Sequence, residues 1–263
     1  MDWELHRSRY GYPPARLRRL SVATEESLLW PEAGLYFQED CPGNEAWRLH
    51  TYRAASSSIE LDQYHHELLA KPSDDTDALL ALISVVYWGN ASGVNGVIRP
   101  GRALARVRWI THGKKPAQLS ADVPATLKLI KEVRSFAAAG HLHDSLLAAM
   151  EIPYLGMSFA SKLVMFANPQ IGAVYDKVIA GILNEHADRD LRSLYVDPLR
   201  QGLSGRKRQA ETYARWCDYC SSKATHLNST RSAWTDWNGV NAAWRAVDVE
   251  RAVFSSNLRA QAT

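Results

Sequence analysis

The chain has 263 residues, of which 46% are hydrophobic and 22% are charged, and its formal net charge is +3 at pH 7. This length allows a substantial core, and the composition is that of a globular protein. The longest apolar run, residues 78–88, is interrupted by Ser84 and is shorter than the ~20 residues that span a bilayer. The amino-terminal residues lack the apolar region of a signal peptide. We therefore expect a cytoplasmic protein that does not enter a membrane.

The three cysteines do not predict a disulfide framework. They are Cys41, Cys217 and Cys220, and an odd, small number indicates a reducing compartment. Cys217 and Cys220 form a CxxC inside a helical pattern, without the second pair that a structural zinc site or an iron–sulfur cluster needs. We interpret both as residues of a helix, and we expect neither a metal nor a cofactor.

The first 73 residues carry the weakest pattern, because Pro13, Pro14, Pro31 and Pro42 interrupt them. Residues 24–30 and 56–70 are typical of short helices, and the second begins with a capping box of Ser57 and Glu60.

Residues 77–90 are apolar nearly all round, which predicts a helix at the centre of a bundle. No segment has a convincing strand period, so the fold class that we expect is all-α.

Basic residues are concentrated in three places. Residues 90–121 contain no acidic residue, and residues 99–115 within them predict a basic helix. A solvated surface explains each cluster about as well as phosphate contact does. The basic residues are Arg7, Arg9, Arg16, Arg18 and Arg19 near the amino terminus; Arg99, Arg102, Arg106, Arg108, Lys114 and Lys115; and Arg200, Arg206, Lys207 and Arg208 in a predicted loop.

Residues 140–187 carry the clearest pattern. They predict a helix with an apolar stripe from Leu142 to Met150, a tight hairpin, a second helix, a short extended link and a third helix. Pro153 and Gly156 punctuate the hairpin, where glycine permits backbone conformations and close approaches that a side chain would block. Asp176 lies where the N-cap of the third helix is expected.

This segment resembles the helix-hairpin-helix DNA glycosylase superfamily, which includes the 8-oxoguanine and adenine glycosylases. In that superfamily a hairpin of the form Leu-Pro-Gly-Val-Gly binds a DNA phosphate through backbone amides, and an aspartate capping the next helix but one faces a flipped-out nucleotide. Asp176 lies 20 residues after Gly156, which matches the superfamily spacing, and the resemblance covers roughly residues 125–187. Tyr154 departs from the pattern, because the superfamily usually has its first glycine there. The hairpin residues are Ile152, Pro153, Tyr154, Leu155 and Gly156.

The resemblance implies a two-lobed helical fold with an active site in the cleft between the lobes, and Asp176 as the catalytic carboxylate. Superfamily members that also cleave the strand have a lysine two residues after the hairpin glycine. Ser158 occupies that position here, which resembles the monofunctional adenine glycosylases and implies water as the nucleophile. Lys162, one helical turn further, is expected to contact a phosphate or the surface; a glycosylase/lyase that uses Lys162 is the alternative.

The resemblance also implies the partner, double-stranded DNA with a damaged or modified base. We expect DNA contacts from Pro153, Tyr154, Leu155, Gly156, Ser158, Lys162, Arg206 and Lys207. We expect base-pocket or gap-filling side chains at Trp88, Asn90, Tyr175, Trp234 and Trp237. The base itself is left open between an oxidised purine and a hypermodified cytosine of phage DNA, for example a glucosylated hydroxymethylcytosine, which would mean antiphage defence.

The predicted organisation has three parts: residues 1–73 pack with the C-terminal helices, residues 74–200 form the glycosylase core, and residues 201–263 complete the second lobe. We expect a monomer. Two other interpretations stay open at this point. One is a nucleic-acid-binding module that has kept the hairpin without the chemistry, and the other is an unrelated helical protein with a coincidental hairpin.

Overall fold

The computed structural model describes residues 1–12, 15–16, 25–31, 48–91, 109–110, 113, 122–200 and 202–256. The chain divides into two compact units: unit 1 comprises Met1–Tyr10 and Lys128–Thr263, and unit 2 comprises Gly11–Leu127. The fold is mostly helical, which confirms the predicted fold class. The division into residues 1–73, 74–200 and 201–263 and the cleft between two lobes stay predictions.

The helices are α1 (Trp3–Ser8), α2 (Ser58–Ala70), α3 (Asp75–Ala91), α4 (Val123–Ala138), α5 (Leu142–Glu151), α6 (Met157–Ala167), α7 (Lys177–Glu185), α8 (Arg189–Arg192), α9 (Leu203–Ser229) and α10 (Ala246–Ser256). The strands are β1 (Ala15–Arg16), β2 (Glu25–Pro31), β3 (Arg48–Ala55), β4 (Trp234–Thr235) and β5 (Asn241–Ala242). Among the described residues, no helix combines the length and the apolarity that a membrane crossing requires.

Unit 2 contains a small sheet that the sequence did not predict. Its central strand, β2, pairs antiparallel with β1 and parallel with β3. The helix expected for residues 24–30 is therefore wrong, because pairing with strands distant in sequence outweighs the local helical preference of two glutamates and two leucines. The helix expected for residues 56–70 is confirmed as α2, and Ser57 Oγ accepts a hydrogen bond from Glu60 N at 3.0 Å.

Unit 1 is built around the long helix α9, which packs against α5 and α10. The amino-terminal helix α1 packs against α10. A buried ion pair joins the two, since Arg7 Nη2 lies 2.9 Å from Asp248 Oδ1. The guanidinium of Arg7 also lies over the Trp234 ring, 3.9 Å from the ring centroid. These contacts make α1 part of the same core as the last helix.

One boundary in unit 1 differs from the prediction. Helix α9 begins at Leu203, so residues 203–208 form its first turns rather than a loop. Gly205 is not a helix breaker here, because a Cβ at that position would lie 3.1 Å from Arg200 Cγ, and glycine lets the two segments approach. The last helix begins at Ala246, because β4 and β5 pair antiparallel just before it. The predicted basic helix of residues 99–115 lies largely outside the described residues.

Candidate active site

The hairpin between α5 and α6 contains a residue in the left-handed backbone conformation that is not a glycine. Tyr154 has φ +68°, at the position where the resemblance has its first glycine. Leu155 N donates to Ile152 O at 3.1 Å and closes the turn. An L-residue in this region is strained by roughly 1–2 kcal/mol. The backbone shape that the resemblance implies is therefore compatible with Tyr154, at the cost of local strain.

Gly156 stands at the N-cap of α6 in ordinary extended geometry, with φ −86° and ψ 177°. A Cβ built there would meet no heavy atom within 4 Å among the described residues beyond its neighbours in the chain. No side chain caps the helix at this residue. Neither φ nor packing within the described chain requires glycine, and the space that a side chain would take at this helix end is open. Open amides at a helix N-terminus can receive an anion.

Asp176 is the N-cap of α7, as predicted. Its Oδ1 accepts hydrogen bonds from Val178 N at 3.0 Å and from Ile179 N at 3.2 Å. The preceding residue is tied to α6, because Ser161 Oγ donates to Tyr175 O and accepts from Tyr175 N. One carboxylate oxygen of Asp176 is thus held by the helix, and the other, Oδ2, is directed toward α6.

Lys162 lies beside Asp176 and is not a surface residue. Its Nζ is 3.4 Å from Asp176 Oδ2 and donates to Ser158 O and Ser158 Oγ, both at 3.3 Å. The residue is 7% exposed. Helical side chains lean toward the helix N-terminus, and the four methylene groups of lysine cross the one-turn gap between Lys162 and Ser158. The surface position expected for Lys162 is therefore wrong, while its contact with a DNA phosphate stays a prediction. The Lys162 amine lies within hydrogen-bonding distance of the Ser158 hydroxyl.

A third ionisable group in this region, Glu250, was not predicted from the sequence. Glu250, on α10, is 2% exposed, and its Oε2 has no hydrogen-bond partner among the described residues. Burial raises the pKa of Glu250 to about 8, while Arg251 lowers it and Asp176 raises it. A signal was present in the sequence: Glu250 takes the i+4 place in a buried stripe that also contains Ala246, Val249 and Val253.

The same helix carries a buried charge cluster around Asp248. Arg245 Nε donates to Asp248 Oδ2 at 2.7 Å, and Arg7 Nε donates to Asp248 Oδ1 at 3.0 Å. Burial alone raises the pKa of Asp248, but Arg245 and Arg7 hold it well below its usual range. The cluster joins α1 to α10 and fixes the helix on which Glu250 lies.

Basic residues at the start of α9 lie next to the hairpin. Arg206 Nη1 donates to Glu151 Oε1 at 2.6 Å, and Glu151 is the last residue of α5 before the hairpin. Lys207 is exposed on the same helix. Arg206 is therefore held beside the hairpin in space, although it lies 55 positions after Glu151 in the chain.

Several predicted base-pocket residues are in the cores of their units. Tyr175 and Trp234 are 0% and 1% exposed, so neither ring presents a face to an incoming base in this conformation, and the base-pocket role of both stays a prediction. Trp88 is 3% exposed within unit 2, and the Asn90 amide donates to Val86 O of its own helix at 2.9 Å. Trp237 is half-buried, and of the predicted aromatic set it is the residue with an accessible side chain.

The CxxC pair lies inside α9. Cys217 and Cys220 are both fully buried and carry no disulfide. Burial raises the pKa of the Cys217 thiol to about 12. A thiol in this state is a poor nucleophile, so the pair is part of the core.

Comparison with known proteins places the chain in a family. The sequence model of the family described as "Putative 8-oxoguanine DNA glycosylase OGG-like protein" matches residues 63–254. No curated protein and no solved structure matches the chain. The matched residues include the hairpin, Lys162, Asp176 and Glu250, and they make up well over half of the chain. The protein therefore belongs to this OGG-like family.

Proposed function

We propose that the protein is a DNA glycosylase that excises a damaged or modified base from double-stranded DNA. Family membership supports the class of reaction. The observation that carries the proposal is the pairing of a helix-capping carboxylate, Asp176, with a buried lysine, Lys162, at 3.4 Å. An aspartate that served only as an N-cap would not need a lysine held against its second oxygen.

The chemistry of base excision matches this pair. The target nucleotide first leaves the base stack, and the sugar then develops positive charge as the N-glycosidic bond breaks, as in glycoside cleavage generally. A negative charge close to the sugar stabilises that state. The amides of Val178 and Ile179 hold Asp176 Oδ1, and the helix dipole favours a negative charge at this end. The carboxylate is thus oriented before substrate arrives, with Oδ2 available to the sugar or to a water molecule.

The hairpin is the proposed phosphate site. The open space at Gly156 lets a phosphate reach the first amides of α6, which no side chain caps. Lys207, exposed near this point, adds a positive charge, while Arg206 already pairs with Glu151. A phosphate bound here would keep the DNA backbone within reach of the same helix that carries Lys162.

We propose a monofunctional enzyme, in which water attacks the sugar carbon beside Asp176, because Ser158 stands at the position of the superfamily lysine. The product is then an intact strand with an abasic site. The position of Lys162 favours a second candidate. Its amine lies 3.3 Å from Ser158 Oγ, so it could attack the sugar carbon itself, displace the base, form a Schiff base and lead to strand cleavage by β-elimination.

Borohydride reduction separates the two candidates. Water chemistry gives no covalent adduct, and strand breaks then appear only after alkali or heat. Amine chemistry gives a protein–DNA adduct that disappears in Lys162→Ala. Lys177→Ala is the matched control, because Lys177 is adjacent to Asp176 in sequence but exposed.

The base that the protein excises can be identified directly. The full chain is incubated with genomic DNAs that carry different modifications, including oxidised purines and phage DNA with glucosylated hydroxymethylcytosine. Released bases are then determined by mass spectrometry. Release of one base class from wild-type protein supports the proposal and separates repair from antiphage defence. DNA binding without release of any base would favour the non-catalytic binding module.

A further inference from the structure

Glu250 is a buried acid with few stabilising interactions among the described residues. It occupies an apolar-stripe position of α10, which packs against both α7 and α9. Its side chain is 2% exposed, and Oε2 lacks a hydrogen-bond partner among the described residues. A buried polar oxygen without a hydrogen-bond partner destabilises the folded protein. An apolar residue would fill this place without that cost, so the carboxyl group itself needs an explanation.

The groups around Glu250 include both members of the proposed catalytic pair. Asp176 caps α7, Lys162 lies on α6, and both interact electrostatically with Glu250. The other charged or titratable groups that face it come from α10, α1 and α9. They are Arg251, Arg7, Cys217 and Cys220.

Burial is the largest of these influences, and it raises the pKa of Glu250 to about 8. The carboxyl is therefore mostly uncharged at neutral pH. Lys162 then has a single acidic partner in hydrogen-bonding reach among the described residues, namely Asp176. Ionisation of Glu250 would give Lys162 a second anionic neighbour and would add a negative charge beside Asp176.

We propose that Glu250, a buried acid on a helix that packs against α7, is a positioning residue of this site whose carboxyl keeps the ammonium group of Lys162 on Asp176. This inference rests on the proposed function for its catalytic meaning. Glu250 acts through the other two residues: when it loses its proton, the ammonium is drawn away from Asp176 Oδ2 and the carboxylate loses a fixed partner. The added negative charge also opposes the approach of DNA phosphates.

The first test needs no substrate. Lysine labelled with ¹³C at Cε is incorporated into the full chain, and the Lys162 signal is assigned with Lys162→Met. Wild-type protein should show a step in the Lys162 Cε and Hε shifts between about pH 7 and pH 9, below the usual lysine range. The step should be absent in Glu250→Gln, which keeps the shape of the uncharged acid, and the Lys177 signal should not show it in either protein. A flat wild-type profile, or the same step in Glu250→Gln, overturns the inference.

The second test uses the reaction. The single-turnover rate of base release by wild-type protein should fall at least about threefold between pH 7 and pH 9, because a controlling group titrates there. The rate in Glu250→Gln should not depend on pH over this range. An unchanged fall in the variant contradicts the inference. If wild-type protein releases no base at any pH, the proposed function fails, and the lysine titration still decides whether Glu250 controls the pair.

Discussion

Replacing Glu250 by glutamine should stabilise the protein, and increasingly so as the pH rises. Glutamine cannot ionise, whereas wild-type protein must keep a buried carboxyl uncharged. The pKa of Glu250 is raised from 4.5 to about 8 by burial. Because the folded state binds this proton more tightly than the unfolded state, the stabilising effect of the proton is fully present below pH 4.5 and is lost as the pH rises through 8.

The magnitude follows from that shift, since one pKa unit corresponds to about 1.36 kcal/mol. The stabilisation by the Glu250 proton that wild-type protein loses is about 1 kcal/mol at about pH 5 and about 4 kcal/mol at about pH 7.5. The difference in unfolding free energy between Glu250→Gln and wild type should therefore widen by about 3 kcal/mol over this range.

Urea unfolding of both proteins at the two pH values measures the gap. Glu211→Gln is the matched control, because Glu211 is exposed on α9, and its effect should be small at both pH values. The reasoning is refuted if the gap between Glu250→Gln and wild type does not change with pH. It is also refuted if Glu250→Gln is the less stable protein at about pH 7.5.

Three further changes test the hairpin and the buried cluster by urea unfolding and DNA-binding titrations. Tyr154→Gly should be more stable than Tyr154→Ala by about 1 kcal/mol, since both lose the ring and only alanine keeps a Cβ at positive φ; equal stabilities would speak against backbone strain. Gly156→Leu should leave stability nearly unchanged but weaken DNA binding. Gly181→Leu is the control and should not affect binding, because a Cβ built at Gly181 also meets open space. Unaffected binding in Gly156→Leu would contradict the phosphate site. Asp248→Asn should destabilise the protein by about 3–5 kcal/mol, because three buried arginines lose their common anion. A loss below about 1 kcal/mol would mean that the cluster is not structural.

The local signals of residues 140–187 were enough to predict three helices, the hairpin and the capping role of Asp176. These depend on features a few residues apart, such as an apolar stripe, a proline and a capping aspartate, and local spacing determines them. The same holds for α2, whose capping box is visible in the sequence.

The features that the sequence did not predict depend on contacts between distant segments. Strand β2 forms because two other strands pair with it, and Gly205 stays helical because it packs against Arg200. The position of the Lys162 amine does not follow from the axial rise between α-carbons alone, because the long side chain leans back toward the helix N-terminus and reaches Ser158. Glu250 was visible as an acid in an apolar stripe, but its closeness to Asp176 required the packing of α10 against α7.

The central claim is that the carboxylate of Asp176 is needed for base excision. The most direct measurement is single-turnover release of the base from modified double-stranded DNA by Asp176→Asn, beside Asp188→Asn. Asp188 is a matched control because it also caps a helix, accepting a hydrogen bond from Asp190 N at 2.8 Å. Asparagine keeps the shape and the cap but removes the charge, so base release should fall at least about 100-fold in Asp176→Asn. The DNA affinity of Asp176→Asn should be largely kept, and Asp188→Asn should release the base at close to the wild-type rate. Full release by Asp176→Asn would contradict the account.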